Sequence, residues 1–204
     1  MNLAGRRPKL GRRPATVGDA AIHTTRWNNL AMNRTTKIAL LAVILTGSAW
    51  AYQKPGTKRS NYSDETYGVA LDAPQFPGAD SKKAGVAISL TGPPVGGFAS
   101  NINVTINPIA TTLKAFTDVT VAECKRLNLT INSQKAIKVS GKDALEIDYE
   151  GTLNVMNGAK KLRFLALSVI DKDRVLVLTC TALPEEFAKA EPEFRACLAS
   201  FKVR

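Results

Sequence analysis

Histidine is almost absent from this 204-residue chain: a single copy, His23, stands near the N-terminus. Beyond it no Ser-His-Asp or Cys-His nucleophile pair can be assembled, nor any His-ligated zinc site. The sequence also lacks a P-loop, a dinucleotide-binding glycine fingerprint and a closely spaced cysteine pair, so no cofactor is expected. No apolar run approaches the ~20 residues needed to span a bilayer, and no internal repeat is evident. Carboxylate-based catalysis needs no histidine and is not excluded by its scarcity.

What is present begins with charge. The formal net charge is +11, but it is unevenly placed. Residues 1–51 hold eight Lys and Arg against one acid, whereas residues 52–204 hold twenty against sixteen. The basic excess therefore belongs mainly to the N-terminus and is not a nucleic-acid footprint on a folded domain. From Met32 the order is Met-Asn-Arg-Thr-Thr-Lys, an apolar run Ile38 to Leu45, then Ala49-Trp50-Ala51. A basic region, a hydrophobic region and a small-x-small site in that order make a secretory signal peptide over residues 32–51. Cleavage after Ala51 would leave Tyr52 first, and no cysteine stands directly after the site, so no stable membrane anchor is expected. Residues 1–31, with Arg6-Arg7-Pro8-Lys9 and Arg12-Arg13-Pro14, read as a disordered basic extension. Translation is expected to start at Met32.

Residues 52–66 read as a flexible polar lead-in, and residues 67–204 as one domain. Alternation predicts strands over Tyr67–Asp72, Val86–Leu90 and Asn101–Ile106. Gly92-Pro93-Pro94-Val95-Gly96-Gly97 reads as a loop, because proline cannot donate to a ladder. Leu113, Phe116, Val119, Val121, Cys124 and Leu127 approximate a helical stripe, predicting a helix over Thr112–Leu129. Thr130–Val139 reads as a further strand. After Leu183-Pro184-Glu185-Glu186 a helix should start, with proline and acids in its first turn; Pro192 should break it. Phe194, Cys197, Leu198 and Phe201 then form one apolar stripe.

The chain is organised around Ala144–Thr181, which reads as three antiparallel strands. Asn157-Gly158 is a strong hairpin signal, since both central residues of a type I′ turn need positive φ. With that loop Leu153 faces Leu162, Tyr149 faces Ala166 and Leu145 faces Ile170. Across the turn Asp171-Lys172-Asp173-Arg174, Val169 faces Leu176 and Leu165 faces Cys180. Leu162–Ile170 and Val175–Cys180 are apolar in both alternation phases, the mark of strands covered on both faces. The fold class expected is α+β: an antiparallel β-sheet flanked by helices on both faces, an α/β/α sandwich.

Three groups of residues are candidates for chemistry. Glu146, Asp148 and Glu150 share one strand face. They could bind calcium or form a general acid–base pair. The plainer and preferred reading is a solvated strand face with basic neighbours, because calcium draws about six or more oxygens, mostly from a tight loop. Cys180 and Cys197 form the second group. In an oxidising compartment a helix folding back over the sheet would bring their Cα atoms within the ~6 Å a disulfide needs; three free core cysteines are the alternative. The third is Val95 and Phe98, candidate partner contacts on a Gly- and Pro-rich loop unless they tuck down onto the domain.

The order of elements resembles the PsbP-like fold family. That family includes the extrinsic photosystem subunit PsbP, a Ran-binding nuclear import factor, and bacterial DcrB-like and LpqN-like envelope proteins. The resemblance is carried by Tyr67-Gly-Val-Ala-Leu-Asp-Ala-Pro74, Gly141-Lys-Asp-Ala-Leu-Glu-Ile-Asp-Tyr149, Val177-Leu-Thr-Cys-Thr-Ala182 and Ala199-Ser-Phe-Lys202. It implies an antiparallel sheet with helices on both faces and mostly non-enzymatic roles, and it supplies no catalytic residue. Cys180 and Cys197 resemble the cysteine pair of the LpqN-like branch, whose lipid-attachment cysteine is missing here. The function expected is an exported, non-catalytic binding or assembly module of the periplasm or cell exterior, engaging an envelope protein and no nucleic acid. The alternative is a soluble small-ligand carrier or carboxylate-based enzyme with a cleft near residues 92–98.

Overall fold

The computed structural model describes residues 58–76, 78–79, 85–155 and 158–204. The signal peptide and the basic extension lie outside these residues. Two strands open the described chain, β1 (Arg59–Asp64) and β2 (Val69–Pro74), followed by the two-residue β3 (Gly78–Ala79). Then come β4 (Val86–Val95), β5 (Phe98–Asn107), the helix α1 (Leu113–Arg126) and β6 (Thr130–Val139). The chain continues through β7 (Lys142–Val155), β8 (Gly158–Asp171), β9 (Arg174–Ala182), the helix α2 (Pro184–Ser200) and β10 (Lys202–Val203). A seven-stranded antiparallel sheet has the order β3-β4-β5-β9-β8-β7-β6, and a smaller one the order β1-β2-β10.

The double-phase apolar pattern does what it should. Odd-numbered residues of β8 (Leu165, Leu167, Val169) face one cluster, together with Leu176, Leu178 and Cys180 of β9. Even-numbered Leu162, Phe164 and Ala166 face a second cluster, with Leu145, Ile147 and Tyr149 of β7. The first cluster is closed by Phe187, Phe194, Cys197 and Leu198 of α2 and by Val69, Leu71, Ala73 and Val203 of the small sheet. The second is closed in part by Phe116 and Cys124 of α1, which lies over β6 and β7.

This arrangement corrects the expected α/β/α sandwich. Among the described residues the chain is mostly antiparallel sheet, 59% strand against 23% helix, with two helices and no helical layer on each face. The cause is local. Residues 59–64, expected in the flexible lead-in, alternate in burial and pair with β2 from Arg59↔Pro74 to Asp64↔Val69. That small sheet takes cover that a helical layer would otherwise supply. The segment 92–97 is likewise a hairpin and not a loop. Pro93 and Pro94 sit at a register shift between Thr91 and Pro94, where the ladder does not need their missing donors. Gly96 (φ 56°) and Gly97 (φ 75°) supply the tight turn between Val95 and Phe98.

The β8–β9 register is as expected, with Leu165↔Cys180 and Val169↔Leu176. The β7–β8 register is shifted by two residues: Tyr149 opposes Phe164, not Ala166, Leu145 opposes Ser168, not Ile170, and Leu153 opposes Lys160, not Leu162. Gly158 (φ 94°) pairs with Val155, so it belongs to the ladder and not to the expected Asn157-Gly158 loop pair, of which Asn157 lies outside the described residues. A shift of two leaves every side chain on its expected face. It also stacks Tyr149 on Phe164, centroids 4.8 Å apart, and sets Glu150 near Lys161, 2.8 Å between charged atoms.

Both helices depart from expectation at proline or at a cap. Thr112 caps α1 by accepting the Ala115 N–H at 3.2 Å; Asn128 (φ 53°) turns the chain out after Arg126. α2 runs unbroken through Pro192. Proline forfeits one hydrogen bond to the carbonyl four residues back. Buried Phe187 before it and Phe194, Cys197 and Leu198 after it hold both halves to the same face.

Candidate functional site

The acidic strand residues sit beneath α2. Asp148 is 3% exposed, and it is fully partnered: Arg163 Nε and Nη2 donate to its two oxygens at 3.1 and 2.7 Å, and Asn132 Nδ2 donates at 2.9 Å. A planar guanidinium matches a carboxylate in this two-point geometry. The Arg163 guanidinium lies 4.4 Å from the centroid of the Phe187 ring on α2 and 3.9 Å from Glu191. Arg195 pairs with Glu191 at 2.7 Å and reaches Glu146 at 3.4 Å. Burial pushes the Asp148 carboxyl up, but the hydrogen bonds from Arg163 and Asn132 and the nearby Arg163 and Arg195 charges outweigh it and hold it below its ordinary value.

Glu146, Asp148 and Glu150 therefore lie together on one face as expected, each with a basic partner. Asp148, however, is buried, not solvated. The cluster works as a clamp that fastens α2 to the sheet through charge-assisted hydrogen bonds. Among the described residues no group of three or more His, Cys, Asp or Glu is placed to hold a metal ion. Sequence reasoning missed Arg163, Glu191, Arg195 and Asn132. Arg163 alone left a signal: a cation set between Leu162 and Phe164 in an otherwise apolar run.

The hairpin tip is fastened down. Phe98 is 6% exposed and belongs to the second cluster, with Leu162 and Leu183, so it is not available for the partner contact expected of it. Val95 is half-buried. Lys160 Nζ donates to the Gly96 carbonyl at 2.9 Å. A methyl group at Gly96 would meet Leu183 Cδ1 at 2.9 Å, so β4 and β5 close tightly over the start of α2. Phe98 and the acidic clamp lie on opposite faces of the large sheet, so the expected cleft near residues 92–98 does not gather the carboxylates.

Cys124, Cys180 and Cys197 are free and buried. The bridge expected between Cys180 and Cys197 is not formed, although the two are close enough to influence each other's ionisation. Burial pushes the Cys197 thiol up to about 11 against the opposing charge of Arg59, whose Nη2 lies 3.9 Å from its sulfur. Arg59 also donates to Glu193 and to the Asp72 carbonyl, both at 2.6 Å, tying β1 to α2. Among the described residues no helix is long and apolar enough to cross a membrane.

A large antiparallel sheet, closed on one face by a C-terminal helix and a small sheet and carrying no assembled catalytic group among the described residues, defines a class. The fold is PsbP-like. The chain is similar to the solution structure of cyanobacterial PsbP (CyanoP) from Synechocystis sp. PCC 6803, at 18% identity and TM-score 0.55, over 78% of this chain and 98% of that one. It is also similar to the crystal structure of LpqN, involved in cell envelope biogenesis of Mycobacterium tuberculosis, at 12% identity and TM-score 0.50, over 74% and 88% of the two chains. At these identities the likeness is one of fold. No protein-family sequence model matches the chain, and no curated protein sequence does.

Proposed function

We propose that this protein is an exported, non-catalytic binding or assembly module of the cell envelope, acting in the periplasm or outside the cell after loss of residues 1–51. The observation that carries the reading is the state of the acidic cluster. The carboxylates most available for chemistry are each paired with arginine or lysine: Asp148 and Glu150 with Arg163 and Lys161 of the neighbouring strand, and Glu146 with Arg195 of α2. Side chains so neutralised stabilise a scaffold and leave contact with a partner protein to its outer surface. The similarity to LpqN, a protein of cell envelope biogenesis, supports the same reading, as does the basic, apolar, small-x-small order of residues 32–51. No cofactor, nucleic acid or stable membrane anchor enters it.

The test is to express the full chain in a bacterium with a C-terminal tag and to cross-link intact cells. Mass spectrometry should find a tagged species beginning at Tyr52 in the envelope or medium, cross-linked to a discrete envelope protein. A soluble species keeping Met1 or Met32, held in the cytoplasm, would overturn the export; hydrolytic activity abolished by Asp148→Asn in folded protein would overturn the non-catalytic role.

A further inference from the structure

The large sheet ends in two very different edges. On one side β3 covers β4 with only two residues. On the other, β6 is ten residues long, and among the described residues no strand pairs with its outer side. Asn132 to Ala136 are exposed on both faces of the strand. Its one irregularity, between Ile131 and Ser133, lies near the start, so Ser133–Val139 pairs with β7 in unbroken register. An open edge presents a row of unused N–H and C=O groups, a template for another extended chain.

We propose that the outer edge of β6 receives an extended, acidic segment of a partner protein as an added strand. The inference rests on the reading of the chain as a binding module, and it assigns the surface and the partner chemistry. Charge decides the occupant. β6 carries Lys135 and Lys138 and no acid. Lys138 is held by Asp143, while Lys135 makes no ion pair among the described residues. Pairing with a second copy would place four lysines on one short ladder with no acid between them, and like charges on facing strands are destabilising. The same lysines that discourage self-association favour a strand bearing Glu or Asp. Backbone hydrogen bonds would supply affinity in such a complex, and side chains on alternate positions its selectivity.

The probes are three decapeptides of alternating Val and Thr, with Glu, Gln or Lys at two positions three apart. They are titrated into the secreted protein and followed by amide NMR and hydrogen exchange. The Glu peptide should bind most tightly and protect the amides of every second residue between Ser133 and Val139, whose N–H groups point away from β7. Lys135→Glu with Lys138→Glu, both at exposed side chains, should weaken the Glu peptide about tenfold and make the Lys peptide the better ligand. Absence of binding up to about 1 mM would overturn the proposal. So would equal binding of all three peptides, protection at another strand, or a concentration-dependent dimer broken by the double charge reversal. If the edge fails while the envelope cross-link to a discrete partner persists in the double variant, the module reading stands and the surface assigned to it falls.

Discussion

Asp148→Asn is the change that tests the clamp most directly. It keeps the shape of the side chain and removes the charge. The wild-type carboxylate accepts three hydrogen bonds, two of them from one guanidinium. Removing one partner of a buried ion pair costs about 3–5 kcal/mol when the other charge is left stranded. Arg163 is not fully stranded: its side chain is 26% exposed, Glu191 lies 3.9 Å away, and the Phe187 ring remains beneath it. The loss should therefore fall at or below the lower bound of that range, about 2–3 kcal/mol at pH 7, read as a lower urea midpoint with an unchanged slope. Pairing it with Arg163→Met in a double-mutant cycle should return a coupling of about 1.5–2.5 kcal/mol. The pH dependence carries the sign. The folded-state value of Asp148 lies below its unfolded one, so the stabilisation is complete above the unfolded value of roughly 4 and is lost as pH falls through the folded value. Wild type and Asp148→Asn should differ fully at pH 7 and draw together as pH falls below about 4. A difference below about 0.5 kcal/mol at pH 7, or one that is constant down to pH 2, would refute the assignment of Asp148 as the clamp's ionised centre.

Two further outcomes concern packing and thiols. Gly151→Ala should destabilise the domain by about 1–3 kcal/mol, since its new methyl group would run into the Leu129 side chain where the chain enters β6; Gly151→Ala with Leu129→Ala should lose less than the sum of the two single changes, and an unaffected melting curve for the single variant would show that the approach is looser than described. Cys124, Cys180 and Cys197 are all free and buried, so none should react with alkylating reagents until the protein unfolds; fast labelling of any of them in the folded protein would show that its packing is looser than described.

The parts of the fold that were legible are those written in local periodicity. The apolar double phase of Leu162–Ile170 and Val175–Cys180 identified strands covered on both faces, and the charged turn at 171–174 set their register correctly. Asn157-Gly158 set the neighbouring register two residues wrong, because a turn signal says which residues favour positive φ and not which pair of them flanks the loop. The site was half legible. Three carboxylates on one face follow from the period of a strand, but their partners come from β6, β8 and α2, and only tertiary packing brings Asn132, Arg163 and Arg195 to them. Phe98 was misjudged for the same reason. A phenylalanine beside two glycines looks exposed until Leu183 and Lys160 arrive from 60 or more residues away to cover the hairpin.

That division bears on how such a chain could do its work. The polar groups that might have made a site are bound to one another at its centre: Asp148 to Arg163, Glu191 to Arg195, Arg59 to Glu193. Arg163 reaches Glu191 and the Phe187 ring of α2, Arg195 of α2 reaches Glu146, and Arg59–Glu193 ties β1 to α2, which fixes the face under α2 as a filled surface. A rigid sheet with one face sealed transmits position well, and its remaining freedom to interact lies along its rim. There β6 differs from the other strands in being long, exposed on both faces over Asn132–Ala136, and bare of acid. The clamp and the edge are mechanically linked, because Asn132 of β6 donates to Asp148 at 2.9 Å. A loss of edge order in Asp148→Asn, seen as a larger rise in hydrogen exchange over wild type in β6 than in β9, would follow from that bond. An equal rise in the two strands would separate the clamp from the edge and leave each to be explained alone.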